Sequence, residues 1–246
     1  MQKSVLNLCL IASLFLGACS QQLHVNKTEK QLYPITVELK SDSSMEAFVS
    51  PYRQKLDSIM NDVVAVSAKE IPKGRPEGLL NNFFADAMYQ SGKDWNLKFD
   101  FAYTNYGGLR IPLPKGNIYR YKIFELMPFE NAVTLVTFKG DDVQAFFDFI
   151  AAGGGDPISG ASFVIDGKKA VEIKINGEPF DRSKNYTVLT SDYMANGGDG
   201  GVIFNKGIGR IDSTHKLRDA LLLYLDKKQK AGEKLNPIND GRIKIK

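Results

Sequence analysis

The chain has 246 residues, 43% hydrophobic and 24% charged, enough apolar material for one large domain or two small ones and too much for a disordered chain. Its formal charge of +4 is a mild excess without a clustered basic face, which excludes nucleic acid as the expected partner. The only cysteines are Cys9 and Cys19, so the rest of the chain has neither a disulfide nor a thiolate metal ligand.

Taken in order, the chain begins with Lys3 and a short apolar run, Val5 to Leu16, and continues through Leu16-Gly17-Ala18-Cys19. A run of this length reads as a secretory signal and is too short to span a bilayer. The last four residues resemble a bacterial lipobox, which implies cleavage before Cys19 and acylation of that cysteine. Residues 1–18 are therefore expected to be a lipoprotein signal peptide. The mature protein would be a lipid-anchored cell-envelope protein, periplasmic or on the outer membrane. Removing residues 1–18 takes away Lys3 and no acid, so the formal charge falls from +4 to +3. Residues 19–34, polar and patternless, read as a tether, and residues 35–246 as the folded domain.

Ile35 to Leu39 alternates like a strand. Met45 to Val63 places Phe48, Tyr52, Leu56, Ile59, Met60 and Val63 at helical spacing, and Pro51 suits that helix if it begins near Ser50. A strand is predicted over 63–67 and a helix over 79–89, with Leu80, Phe83, Phe84, Ala87 and Met88 on its apolar side. Phe99 to Thr104 and Ala132 to Phe138 predict strands, the second one buried. Lys139-Gly140-Asp141-Asp142 predicts a turn into a helix over Val143–Ile150, whose N-terminal acids suit the helix dipole. Gly153-Gly154-Gly155 is a loop without the Gly-Lys-Ser/Thr of a phosphate loop. Ser162 to Phe180 reads as a hairpin of Phe163–Gly167 and Val171–Ile175, with Asn176-Gly177 turning into Glu178-Pro179. A helix over Ser213–Leu225 and a closing strand over Gly241–Ile245 complete the pattern. Strands and helices are interspersed without a steady βαβ repeat, which predicts an α+β fold, a mixed sheet with packed helices in a single domain.

Two stretches leave predicted strands and break into paired glycines among polar side chains. The first is Asn105-Tyr106-Gly107-Gly108-Leu109-Arg110, followed by Pro128-Phe129-Glu130-Asn131; the second runs from Tyr186 through Asp192-Tyr193 to Gly197-Gly198-Asp199-Gly200. Such glycines allow positive φ and close backbone approach, which suits loops that wrap a ligand. Arg110 is a planar, permanently charged donor for phosphate. Phe129 and Tyr193 offer flat faces, and stacking a base on such a ring is worth roughly 1–3 kcal/mol. Asp199 could accept both hydroxyls of a ribose, as an acidic residue does in dinucleotide sites. Together these groups match the needs of a nucleotide.

The succession Asn-x-Gly-Gly-Leu-Arg, Pro-Phe-x-Asn and Tyr-x-Val-x-Thr-x-Asp-Tyr-x-Ala-x-Gly-Gly-Asp-Gly resembles the C-terminal, substrate-binding domain of the 5'-nucleotidase / UDP-sugar hydrolase family, over about residues 35–246. The expected fold is thus a single 5'-nucleotidase C-terminal-like domain. The resemblance implies that Asn105, Gly108, Arg110, Phe129, Asn131, Tyr193, Gly198 and Asp199 bind substrate. The segment Glu77 to Ala87 resembles the family's Glu-x-x-x-Gly-Asn-Leu-x-x-Asp-Ala helix, with Asn81 in place of the glycine. In the family an arginine upstream of that helix joins the binding set; Arg75 is the nearest match, one residue short in spacing. Gly201 stands where the family carries a larger residue, which is expected to loosen that loop.

Hydrolysis in this family runs on two metal ions held by histidines, aspartates and an asparagine of an N-terminal domain. This sequence has two histidines, His24 and His215, which read as surface residues rather than ligands, and from which no Ser-His-Asp set can be built. No catalytic residue, metal ligand or cofactor is expected on this chain. The resemblance implies the nucleotide- or nucleotide-sugar-binding half of a split 5'-nucleotidase-type phosphohydrolase. Its divalent metals would sit on a separate metallophosphoesterase subunit. The alternative is a non-catalytic nucleotide-binding lipoprotein or an interaction module.

Overall fold

The computed structural model describes residues 24–246. The expected signal peptide, Cys19 with its expected acylation and the first residues of the expected tether lie outside the described residues. The chain divides into two units, Met1–Val49 and Ser50–Lys246. In the first, residues 24–36 carry no regular structure, and the strand expected over Ile35–Leu39 does not form. The segment closes instead in a turn, where the Leu39 N–H donates to the Thr36 carbonyl at 3.2 Å. Alternation alone cannot make a strand without a neighbour to satisfy its backbone groups.

Helix α1 (Ser43–Met60) starts well before Ser50, so Pro51 lies inside it rather than in its first turn. The cause is a cap that the apolar spacing does not reveal: Asp42 Oδ1 accepts from the N–H groups of Ser44 and Met45 at 2.8 and 3.0 Å.

The second unit is built on a five-stranded mixed sheet in the order β10 (Gly209–Lys216), β4 (Ala132–Lys139), β9 (Asn185–Ser191), β2 (Phe101–Tyr103) and β5 (Ile158–Ser159). All its neighbours are antiparallel except β9 and β2, which run parallel. A four-stranded sheet follows the order β11 (Ile243–Ile245), β6 (Ala161–Asp166), β7 (Lys169–Ile175) and β8 (Glu178–Pro179). β1 (Val63–Ser67) pairs antiparallel with β3 (Gly116–Tyr119), a strand the sequence pattern does not signal.

Side chains alternate across the central strands, and the core splits accordingly. Val133 and Leu135 of β4, Ala102 of β2 and Leu189 of β9 join one cluster with α2 (Leu79–Asp94) and α6 (Leu217–Lys230). Val136 and Phe138, Phe101 and Tyr103, and Tyr186 and Val188 join the other, with α4 (Gly140–Ala152) and the β6–β7 hairpin. The apolar side predicted for α2, from Leu80 to Met88, is buried throughout. α3 (Arg120–Leu126) leads from β3 into the Pro128 loop.

Two boundaries differ from expectation. Residues 213–216 complete β10, with Lys216 opposite Ala132, and the helix begins only at Leu217. His215 therefore stands on a strand, where its ring stacks on Trp95 at 4.0 Å and 1°. Gly140-Asp141-Asp142 forms the first turn of α4 rather than a turn before it.

Candidate functional site

The parallel register of β2 and β9, with Phe101 opposite Val188 and Ala102 opposite Leu189, brings the ends of both strands to one edge of the sheet. The Asn105 turn leaves β2 there, and the short helix α5 (Asp192–Ala195) leaves β9 there. β4 runs antiparallel to β9 and places Val133 opposite Ser191, so its entry, with Phe129 and Asn131, reaches the same edge. This is where ligands collect in sheets with parallel strands, outside the carboxyl ends. The result is a cleft of about 250 Å³, lined among others by Asn105, Gly108, Arg110, Phe129, Asn131, Tyr193 and Asp199. Seven of the expected residues thus meet in one place.

Asp199 is the centre of the polar wall. Its Oδ2 accepts from Asn105 Nδ2 at 2.6 Å and its Oδ1 from the Tyr193 hydroxyl at 2.7 Å, while its own N–H donates back to that hydroxyl at 3.2 Å. Donation to the carboxylate raises the Tyr193 phenol above its ordinary range. An ionised carboxylate has about four acceptor positions, so two donors leave room for a pair of hydroxyls. The loop is shaped for this contact. Gly197 takes φ +85°, and a Cβ on Gly198 would overlap the Tyr193 ring. Gly198 therefore serves from beneath the ring rather than from the cleft wall. At Gly201 the N–H donates to the Gly198 carbonyl at 2.9 Å.

The apolar side is made by Phe129 and Tyr193, which remain 41% and 43% exposed although rings of this size are normally covered. Asn131 is tied down by donating to Asp192 Oδ1 at 2.9 Å. Arg110 is exposed; its N–H donates to the Leu126 carbonyl and its Nη1 to the Gly107 carbonyl, at 3.0 and 3.4 Å.

Residues 62–206 match the family described as 5'-nucleotidase, C-terminal domain. The chain belongs to this family. UshA of Yersinia enterocolitica is 29% identical over 176 residues, covering 67% of this chain and 31% of that protein. A 5'-nucleotidase of Vibrio cholerae is 24% identical over 185 residues, covering 73% of this chain and 33% of its own. Among solved structures, the 5'-nucleotidase precursor from Thermus thermophilus superposes with a TM-score of 0.68 at 24% identity, over 82% of this chain and 43% of that one. The fold is that of the 5'-nucleotidase C-terminal domain. The chain spans about a third of the length of these curated relatives.

In this 5'-nucleotidase C-terminal domain Arg75 stands apart from the other expected residues. It lines a smaller cavity of about 140 Å³ that shares Asn105, Gly107 and Asp199 with the main cleft. Its guanidinium lies over the Tyr106 ring at 4.4 Å and pairs with Asp156 at 3.3 Å. Lys73 meets the same ring at 4.2 Å. Burial pushes the Asp156 carboxyl up to about 6, against the opposing pull of Arg75. The buried Tyr103 hydroxyl donates to Asp156 at 3.1 Å, and burial raises that phenol well above its usual range.

Among the described residues no group of three or more His, Cys, Asp or Glu side chains could hold a metal ion. The polar groups of the cleft, two side-chain amides and a guanidinium that donate and one carboxylate that accepts, suit an organic anion bearing hydroxyls rather than a cation.

Sequence reasoning missed Thr104, Met127, Ser191 and Leu217, which also line the cleft. It also missed Arg218, buried behind Phe129 and bonded to its carbonyl. A signal was present: Arg218 shares the helical stripe of Leu221 and Leu225, where a cation is out of place.

Proposed function

We propose that this domain binds a nucleotide or nucleotide-sugar and presents its phosphate to a metallophosphoesterase carried on a separate chain. The base lies against Phe129 and Tyr193, the ribose hydroxyls take the open positions of Asp199, and the phosphate lies toward Arg110 and Arg75. The observation that carries this reading is the pairing, in one cleft, of two half-exposed rings with a carboxylate already oriented by Asn105 and Tyr193. The names of the relatives, 5'-nucleotidases among them, agree with it. On this reading the divalent metals belong to the partner, and this chain contributes orientation and binding energy to the reaction. An acyl group on Cys19 would hold both at the cell envelope.

The test is a calorimetric titration of the full-length protein with AMP, ADP, adenosine and a UDP-sugar in metal-free buffer. Saturable binding that Phe129→Ala removes is the expected result; no binding to any of the four overturns the nucleotide reading. Purification from native membranes tests the partner. Recovery of the protein without phosphoesterase activity would overturn the split arrangement.

A further inference from the structure

Phe129 sits on a segment without regular structure, between α3 and β4. What holds that segment comes from α6. Arg218 Nη1 donates to the carbonyls of Met127 and Phe129 at 3.2 and 3.3 Å. Its Nη2 pairs with Glu130, and the guanidinium lies over the Phe124 ring at 4.1 Å. One planar group thus grips the chain before, at and after Phe129.

Arg218 is 8% exposed and stands in the first turn of α6, where the helix dipole disfavours a cation. A buried charge is tolerated only when its donors are used. Here they are used on the loop that carries the ring, and the rigid planar fork of a guanidinium spreads its donors over acceptors along that loop, whereas an ammonium gathers its three donors at one point.

We propose that Arg218 is a positioning residue of the cleft: it locks residues 127–130 so that Phe129 presents its ring, and it sets affinity for the base without touching the phosphate end. This rests on the nucleotide reading above, and the test separates the two. The full-length wild type, Arg218→Met and Arg218→Lys are titrated with AMP and with ribose 5-phosphate, which lacks the base.

In Arg218→Met, AMP affinity should fall about tenfold, most of a stacking contact, while ribose 5-phosphate changes by less than about twofold. Arg218→Lys should lie between, because a point charge replaces the fork. Equal losses with both ligands, or an AMP preference as large in the variants as in the wild type, overturn the role of Arg218. If Arg218→Met fails to fold by circular dichroism, the same ratio in Arg218→Lys decides. A wild type that binds AMP no better than ribose 5-phosphate overturns the base-binding reading itself.

Discussion

Tyr193 acts through its hydroxyl as well as its ring, since that hydroxyl both donates to Asp199 and accepts from its backbone. Tyr193→Phe keeps the stacking face and releases the carboxylate. Adenosine affinity should fall about fivefold in calorimetry, the worth of one net hydrogen bond. Arg110 answers for the other end of the ligand: Arg110→Ala should weaken AMP and leave adenosine unchanged, and equal loss would contradict its role. Asp156 supplies a pH signature. Its carboxyl titrates near 6 in the fold against an ordinary value of 3.8. Because the folded value is raised, the stabilisation from protonation is complete below pH 3.8 and is lost as pH rises through 6. Relative to Asp156→Asn, the wild type should lose up to about 3 kcal/mol between pH 4 and pH 7 in urea titrations. The motif residues were legible one by one as donors, acceptors and rings. The Tyr103–Asp156–Arg75 cluster was not, because burial, which defines it, is no property of a single residue.

At the scale of elements, α2 lies so close to the central sheet that a side chain at Gly92 would overlap Leu189 and come within 2.7 Å of Phe99. Gly92→Ala should therefore destabilise by about 1–3 kcal/mol, although alanine favours helix. A lower urea midpoint with unchanged slope is the measurement that shows it. Periodicity made α2, α4 and the β6–β7 hairpin readable, because each has a long apolar face or a turn that marks it. It misplaced the start of α6, since β10 runs on through Ser213 to Lys216, leaving its register after Asp212 and regaining it where Lys216 stands opposite Ala132, while Asp212 accepts from Thr134 at 2.8 Å. It also put a strand at Ile35–Leu39, where nothing pairs. Short strands such as β3 and β5 owe their existence to their neighbours, which local pattern does not contain.

Across the whole second unit, one sheet separates two apolar clusters and is shared by both. Phe146 is a hub of the α4 side, within 5.1 to 5.8 Å of the ring centroids of Phe101, Tyr103, Phe138, Phe147 and Phe204. Phe146→Ala should cost about 3–5 kcal/mol. Because Trp95 packs on the opposite cluster, its fluorescence should report the same shifted transition as far-UV circular dichroism. Separate transitions would mean that the two faces unfold independently.

The sequence alone determined the family, the α+β class, the long periodic elements and the chemical types gathered in the two glycine-rich loops, since all of these are written in local spacing and motif. Only the tertiary structure decided that Asn105 and Tyr193 would both grip Asp199, that Arg75 would stand in an adjoining cavity, and that Arg218 would fasten the Phe129 loop from behind. The parallel register of β2 with β9 brings the Asn105 and Tyr193 loops to one edge, and burial selects which charges must find partners. Neither exists until distant segments have paired.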